Sequence, residues 1–181
     1  MAKSKTGSFW LTETVSLAAT TGAGGRATGT LDLGAYVDVG DQQAIAIESV
    51  DFVWQVGPDY GSDIASMLVG HGSLGAQLTD LNPSGVFVRA DDNSLVGSGT
   101  INGDATTSSV YEGTDFYPDN FGKLDEARMV VNDNLYVTVG NDNTAINAWT
   151  VYCTARIKCR IVKLGTKDWM SIAIAGSASD S

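Results

Sequence analysis

Histidine occurs once in the 181 residues, at His71, and cysteine twice, at Cys153 and Cys159. One histidine and two thiols leave almost no way to build a structural zinc site within one chain. The cysteines lie six residues apart in a segment that reads as one strand, so about 20 Å separates them, far beyond the ~7 Å Cα limit of a disulfide. They read as small buried hydrophobes. Glutamate is scarce, with four against 17 aspartates. Asp favours turns and caps whereas Glu favours helices, so this bias points away from a helical protein. Charged residues make up only 18% of the chain, too few for a disordered segment or a coiled coil. No run reaches the ~18 apolar residues of a membrane span. There is no Asn-x-Ser/Thr acceptor, and the start, Met1 to Ser8, lacks the apolar core of a signal peptide. The expectation is synthesis in a cytoplasm.

What is present is one domain's worth of chain with 43% hydrophobic residues and 21 glycines, enough to bury roughly 70% of its unfolded surface. Period-2 alternation dominates. Phe9, Leu11, Val15 and Leu17 share one face of a first strand, interrupted by Glu13. Thr20 to Gly25 reads as a flexible connection, and Leu31 to Val39 as a half-buried strand. Over 43–56 the phase changes: Ile45 and Ile47 are odd, whereas Val50, Phe52, Trp54 and Val56 are even. One extra residue near Glu48-Ser49 restores a single buried face, which is the signature of a β-bulge. Residues 57–84 read as loop-rich, with a short helix over 63–69. Strands are expected at 85–90, 94–101, 106–112, 128–131 and 135–140, with a long polar loop from Gly113 to Glu126. The clearest element is the last, where Trp149, Val151, Cys153, Ala155, Ile157, Cys159 and Ile161 occupy successive odd positions. A tail containing Trp169 to Ile174 follows. The class is an all-β sandwich or barrel.

The chemical motifs are thin. Gly70-His71-Gly72-Ser73-Leu74-Gly75 matches G-x-G-x-x-G, but neither a βαβ pattern nor a long following helix surrounds it, so a glycine-rich loop is the better account. No G-x-S-x-G elbow accompanies His71. Carboxylates gather at Asp91-Asp92, Asp115, Asp119, Asp125-Glu126 and the turns Asn132-Asp133-Asn134 and Asn141-Asp142-Asn143. Such loops can supply the oxygens calcium needs, although none matches an EF-hand and turn chemistry explains them without an ion. No catalytic, cofactor-binding or metal residue is assigned, no cofactor is expected, and the reading is not an enzyme.

Charge distribution says more. The chain carries a net charge of −10, yet Arg156, Lys158, Arg160, Lys163 and Lys167 concentrate bases near its end. Either they protect a solvated strand, or they form a stripe that meets an acidic neighbour, another copy or a polyanion. Specific nucleic-acid recognition does not fit so acidic a protein. These five residues are the candidates for subunit interaction.

The order of elements resembles that of single-jelly-roll viral capsid proteins, notably the small major capsid proteins of icosahedral viruses of archaea and bacteria. The likeness runs from a first strand at Phe9–Leu17 through a bulged strand at Ala44–Val56 and middle loops to a long closing strand at Trp149–Leu164. It implies an eight-stranded jelly roll over residues 9–166, with an N-terminal arm at 1–8 and a C-terminal tail at 167–181. It further implies a virion protein whose partners are copies of itself in capsomers, with room for a second capsid protein and, in some relatives, an internal membrane beneath the shell. A tail or decoration protein is the near alternative. A carbohydrate-binding sandwich is the distant one, with Trp10, Trp54, Trp149 and Trp169 as stacking candidates. Alternation places Trp54 and Trp149 in the core instead.

Overall fold

The computed structural model describes residues 2–57, 64–112 and 127–177. Ten strands and two helices follow in order: β1 (Lys3–Ser4), β2 (Phe9–Leu17), β3 (Arg26–Asp32), β4 (Gln43–Val56), α1 (Ile64–Met67), β5 (His71–Thr79), β6 (Leu95–Asp104), β7 (Ser109–Glu112), β8 (Arg128–Val130), β9 (Asn134–Asp142), β10 (Val151–Lys163) and α2 (Thr166–Ser177). One antiparallel sheet runs β2-β10-β4-β8, with β1 beside the far end of β10. The other runs β3-β9-β5-β6-β7. The chain changes sheet between β2 and β3, β3 and β4, β4 and β5, β7 and β8, β8 and β9, and β9 and β10. That connectivity, two four-stranded sheets of order 2-10-4-8 and 3-9-5-6, is an eight-stranded jelly roll to which β1 and β7 are additions. The fold is therefore an all-β sandwich.

Alternation explains the core. Val151, Cys153, Ala155, Ile157 and Cys159 of β10 are all buried and pair across with Val56, Trp54, Phe52, Val50 and Ile47 of β4. Leu74, Ala76 and Leu78 of β5 and Leu135, Val137 and Val139 of β9 bury their side chains in the same cluster. The bulge lies where the phase change put it. Register passes from Lys158↔Ser49 to Cys159↔Ile47, leaving Glu48 as the extra residue.

Several expected elements fall elsewhere. The alternating segment 31–39 is a strand only to Asp32; beyond it Asp32 Oδ1 accepts a hydrogen bond from the Gly34 N–H at 2.7 Å, and Asp38 Oδ1 one from Gly40 at 2.8 Å. Local turn chemistry at the aspartates overrides the alternation. The strand is instead Arg26–Asp32, paired with β9. Its Gly29 faces Glu13, whose Oε1 would lie 2.7 Å from a Cβ there, which is how the inward face of β2 accommodates a carboxylate. Segment 85–90 is not a strand. The Gln77 side chain takes the place of one, accepting from the Val88 N–H and donating to its carbonyl, both at 2.8 Å. Segment 57–84 contains β5, so Gly72 and Gly75 belong to a strand. A Cβ on Gly72 would lie 2.5 Å from the Asp142 carbonyl oxygen, so the glycine marks close packing.

The short helix expected over 63–69 is found as α1, although Asp63 and the loop Gly113 to Glu126 lie outside the described residues. After Gly165 the chain forms α2, with Trp169 buried and Ile172 and Ala173 half-buried against the core. Spacing of three and four residues gives this helix one apolar stripe.

Ile157 is fully buried. Ile157→Ala is expected to lower the unfolding free energy by about 2–5 kcal/mol in urea titrations. Ile157→Asp is expected to leave no cooperative transition, because it sets an unpaired charge inside the sandwich.

Candidate assembly surface

The outer face of the β2-β10-β4 sheet is built by the even residues of β10 from Tyr152 to Arg160, beyond which the alternation ends with Ile161 half-buried and Val162 in the core. Register sets Tyr152 between Ser16 and Gln55, Thr154 between Thr14 and Val53, and Arg156 between Thr12 and Asp51. Thr14 and Thr154 share a hydroxyl hydrogen bond of 2.9 Å. The Arg156 guanidinium lies 4.7 Å from the ring centroid of Trp10, which is 45% exposed. A cation over an exposed indole contributes about 0.5–1 kcal/mol and holds the two long side chains together. Tyr152 is also exposed. This face therefore presents aromatic surface, hydroxyls and one cation to solvent.

At the bulge the chemistry changes. Glu48 is only 6% exposed and pairs with Arg160 through both Nε and Nη2. The Ser8 hydroxyl lies 3.0 and 2.8 Å from its two carboxylate oxygens, and Lys158 Nζ is 3.9 Å away. Arg160 also donates to Ser8 Oγ at 3.3 Å. A buried carboxylate survives only with such company, because its desolvation exceeds what a single distant charge returns.

The five basic candidates thus separate by role. Arg156, Lys158 and Arg160 do share one strand face, but Arg160, and more weakly Lys158, serve Glu48. Lys163 is exposed at the end of β10, opposite Lys3, and Lys167 is exposed in the first turn of α2. Among the described residues neither makes an ion pair, and Arg156 makes none either. Sequence reasoning found the bulge and the basic row separately. Glu48, which joins them, carried no signal, since nothing in a sequence says which side of a bulge a carboxylate takes.

The remaining candidates are structural. His71 is 71% exposed, and its Nδ1 lies 3.1 Å from Asp104 Oδ1. Hydrogen bonds from the Thr106 and Thr107 hydroxyls, helped by the Thr106 N–H and His71, hold the Asp104 carboxyl down to about 2. Asp92 Oδ1 accepts from the Ser94 N–H at 2.8 Å, a local turn bond. Asp115, Asp119, Asp125 and Glu126 lie outside the described residues. No group of three His, Cys, Asp or Glu side chains among the described residues is placed to hold a metal ion. No helix among them is long and apolar enough to cross a membrane.

Trp54 is buried as alternation required, but Trp149 is 56% exposed. It precedes β10, where alternation no longer governs, and lies over Gly57, whose φ of +53° and 3.2 Å approach to Trp149 Cε3 both disfavour a side chain.

Both thiols are buried and unpaired. Burial pushes Cys153 upward, and burial together with the Glu48 charge pushes Cys159 up to about 12. Neither thiol is expected to react with a thiol-specific reagent until the protein unfolds. Arg160→Ser is expected to destabilise by about 3–5 kcal/mol by stripping Glu48 of its main partner. Arg156→Ser should cost about 1 kcal/mol or less, the range of an exposed cation–π contact. Thermal melts of the two variants side by side measure the difference.

The sequence matches no protein-family model and no curated protein. Among solved structures it is similar to VP1 of Trichodysplasia spinulosa-associated polyomavirus in complex with sialylated precision glycooligomers, at TM-score 0.44 and 10% identity, covering 89% of this chain and 98% of that one. The same VP1 in complex with GM1 oligosaccharide gives TM-score 0.44 and 10% identity over 86% and 94%. The turnip yellow mosaic virus structure gives TM-score 0.30 and 11% identity over 90% and 99%. These neighbours are viral capsid proteins. The jelly-roll assignment itself rests on the strand order and register above.

Proposed function

We propose that the chain is a structural virion protein, a self-assembling capsid subunit that packs with copies of itself into capsomers of an icosahedral shell and performs no catalysis. The observation that carries this reading is where the jelly roll puts its large apolar and cationic side chains. The sandwich interior is filled by its own residues. Trp10, Arg156 and Tyr152 stand on the open face of one sheet, while Met170 and Lys167 are exposed on α2. Exposed aromatic and arginine side chains are the groups that anchor protein interfaces. Arg156, Lys163 and Lys167, which make no ion pair among the described residues, have an otherwise acidic protein to meet in a neighbouring copy, so opposite charge would steer subunits together. A second capsid protein, or a membrane beneath the shell, fits the same reading. A tail or decoration protein would use the same surfaces.

Light scattering at low and high salt, with negative-stain images of the same samples, tests it. Rings, capsomers or shells are expected, and replacing Arg156, Lys163 and Lys167 together with Ser should shift the protein toward smaller species while its melting temperature falls by no more than about 2–4 °C. Arg160 is left intact in that variant because the fold uses it. A monomer under all conditions would count against self-assembly.

Carbohydrate binding is the second reading, and one observation favours it. Trp149 rests one part of its ring on Gly57 and is 56% exposed, the form of an aromatic stacking platform. Glycan-array binding that disappears in Trp149→Ala would move this reading to the front.

A further inference from the structure

Strand β2 forms one rim of its sheet and is paired only on its β10 side. Which of its residues face the open side follows from β10. The Ile161 N–H donates to Thr6 Oγ1 and the Ile161 carbonyl accepts from the Lys5 N–H, so Ile161 turns its backbone toward the β1 and β2 side. Thr150, of opposite parity, turns the other way, its carbonyl accepting from the Gly57 N–H just past β4. Backbone groups alternate sides along a strand, and β10 and β2 stay in unbroken register from Cys159↔Phe9 to Val151↔Leu17. The odd residues of β2 therefore bond β10. Trp10, Thr12, Thr14 and Ser16 hold their N–H and C=O groups outward from the rim. All four residues are exposed, and among the described residues no hydrogen bond reaches those backbone groups.

Proteins ordinarily blunt such a rim by keeping it short, or with Lys, Pro or a bulge. The other strands that end a sheet follow that rule. Strands β1, β8 and β7 have two, three and four residues, and β3 ends in Arg26 and Asp32 with Gly29 at its middle. Strand β2 has nine residues and contains no Lys, Arg, Pro, Gly or bulge. Phe9, Trp10, Thr12, Thr14 and Val15 are strong strand formers. Its one charge, Glu13, points inward onto Gly29, so no charge of β2 guards the outer face of the rim.

We propose that β2 pairs antiparallel with β2 of a second copy across a two-fold axis at Thr14, joining two sheets into one of order 8-4-10-2-2-10-4-8. The proposal rests on the self-assembly reading above and names its contact. Charge selects the register. Outward-facing groups meet when the axis passes through Thr12, Glu13 or Thr14. An axis at Glu13 sets the two Glu13 carboxylates directly opposite each other, which is destabilising. An axis at Thr12 puts both Arg156 side chains in one cross-strand row, because Arg156 stands beside Thr12. An axis at Thr14 does neither. It sets Glu13 opposite Val15 and Thr12 opposite Ser16, so the row of Arg156 in one copy continues to Tyr152 of the other. Across the axis itself Thr154 and Thr14 meet the same two residues of the second copy, and cross-strand threonine pairs are favourable. The outward groups of Thr12, Thr14 and Ser16 would then exchange about six backbone hydrogen bonds. Because the same patch serves both copies, the contact closes on itself as a dimer.

Single cysteines test the register, since both native thiols are buried. Thr14→Cys is expected to form cross-linked dimers under copper-phenanthroline oxidation, because opposed Cα atoms in an antiparallel pair lie about 5.5 Å apart, within reach of a disulfide. Thr12→Cys, offset from its own copy by roughly 13 Å along the strands, is expected to stay uncross-linked on the same non-reducing gel. Thr14→Lys sets two ammonium groups against each other and should weaken association at least tenfold by light scattering, while a cooperative melt shows that the variant folds. Thr14→Pro removes an outward N–H, leaves the bonds to β10 in place, and should act in the same direction. Assemblies of unchanged mass in both Thr14→Lys and Thr14→Pro, or cysteine variants that cross-link equally or not at all, would overturn the pairing and leave self-assembly standing. A single-copy mass for the intact protein at every salt concentration would overturn both.

Discussion

Strand β10 is hydrogen-bonded along both edges, to β2 on one side and β4 on the other, and most of the molecule is arranged around that double pairing. Its inner residues, from Val151 to Cys159, are buried without exception at alternate positions. A slip of one residue would turn all of them to water and bring Arg156 and Lys158 inside. Register in this sheet is therefore fixed by burial, and it determines where every outer-face side chain stands. The pairing of Arg156 with Trp10 follows from it, as does the closeness of Arg160 to the bulge.

The bulge is where this constraint meets a charge. Inserting Glu48 into β4 keeps Ile45 and Ile47 on the same face as Val50 and Trp54, at the cost of an unpaired residue that must go somewhere. It goes inward enough to be desolvated, and two bases and a serine gather around it. Ser8 ties residues before β2 to this cluster, and Lys5 continues the attachment by donating its N–H to the Ile161 carbonyl at 2.8 Å. The start of the chain is thus held by the same cluster that neutralises the bulge. A surface stripe and a buried ion-pair network are the same row of residues viewed from two sides.

Long alternating segments were legible in the sequence, because β2, β4 and β10 bury one face each and polar residues mark the other. The bulge was legible for the same reason, as a change of phase. Strand β3 was not: Arg-Ala-Thr-Gly-Thr-Leu-Asp offers little apolar surface, and its Gly29 is there to admit Glu13 from β2 of the other sheet. Strand β5 was hidden by glycines that signal close approach of Asp142 and Phe87, not a loop. Helix α2 was missed because its stripe is only Trp169, Ile172 and Ala173 among small and polar residues. Of the basic row the sequence showed position and sign, but not that Arg160 already has a buried partner.

The two thiols have a consequence outside stability. Cys153 and Cys159 are the only cysteines in the chain, and both face the sandwich interior, where their distance along one strand prevents a bond between them and burial prevents one with a neighbour. No disulfide through either thiol can then form or be reduced while the subunit stays folded. The folded chain is indifferent to whether it stands in a reducing cell or in oxidising water outside one.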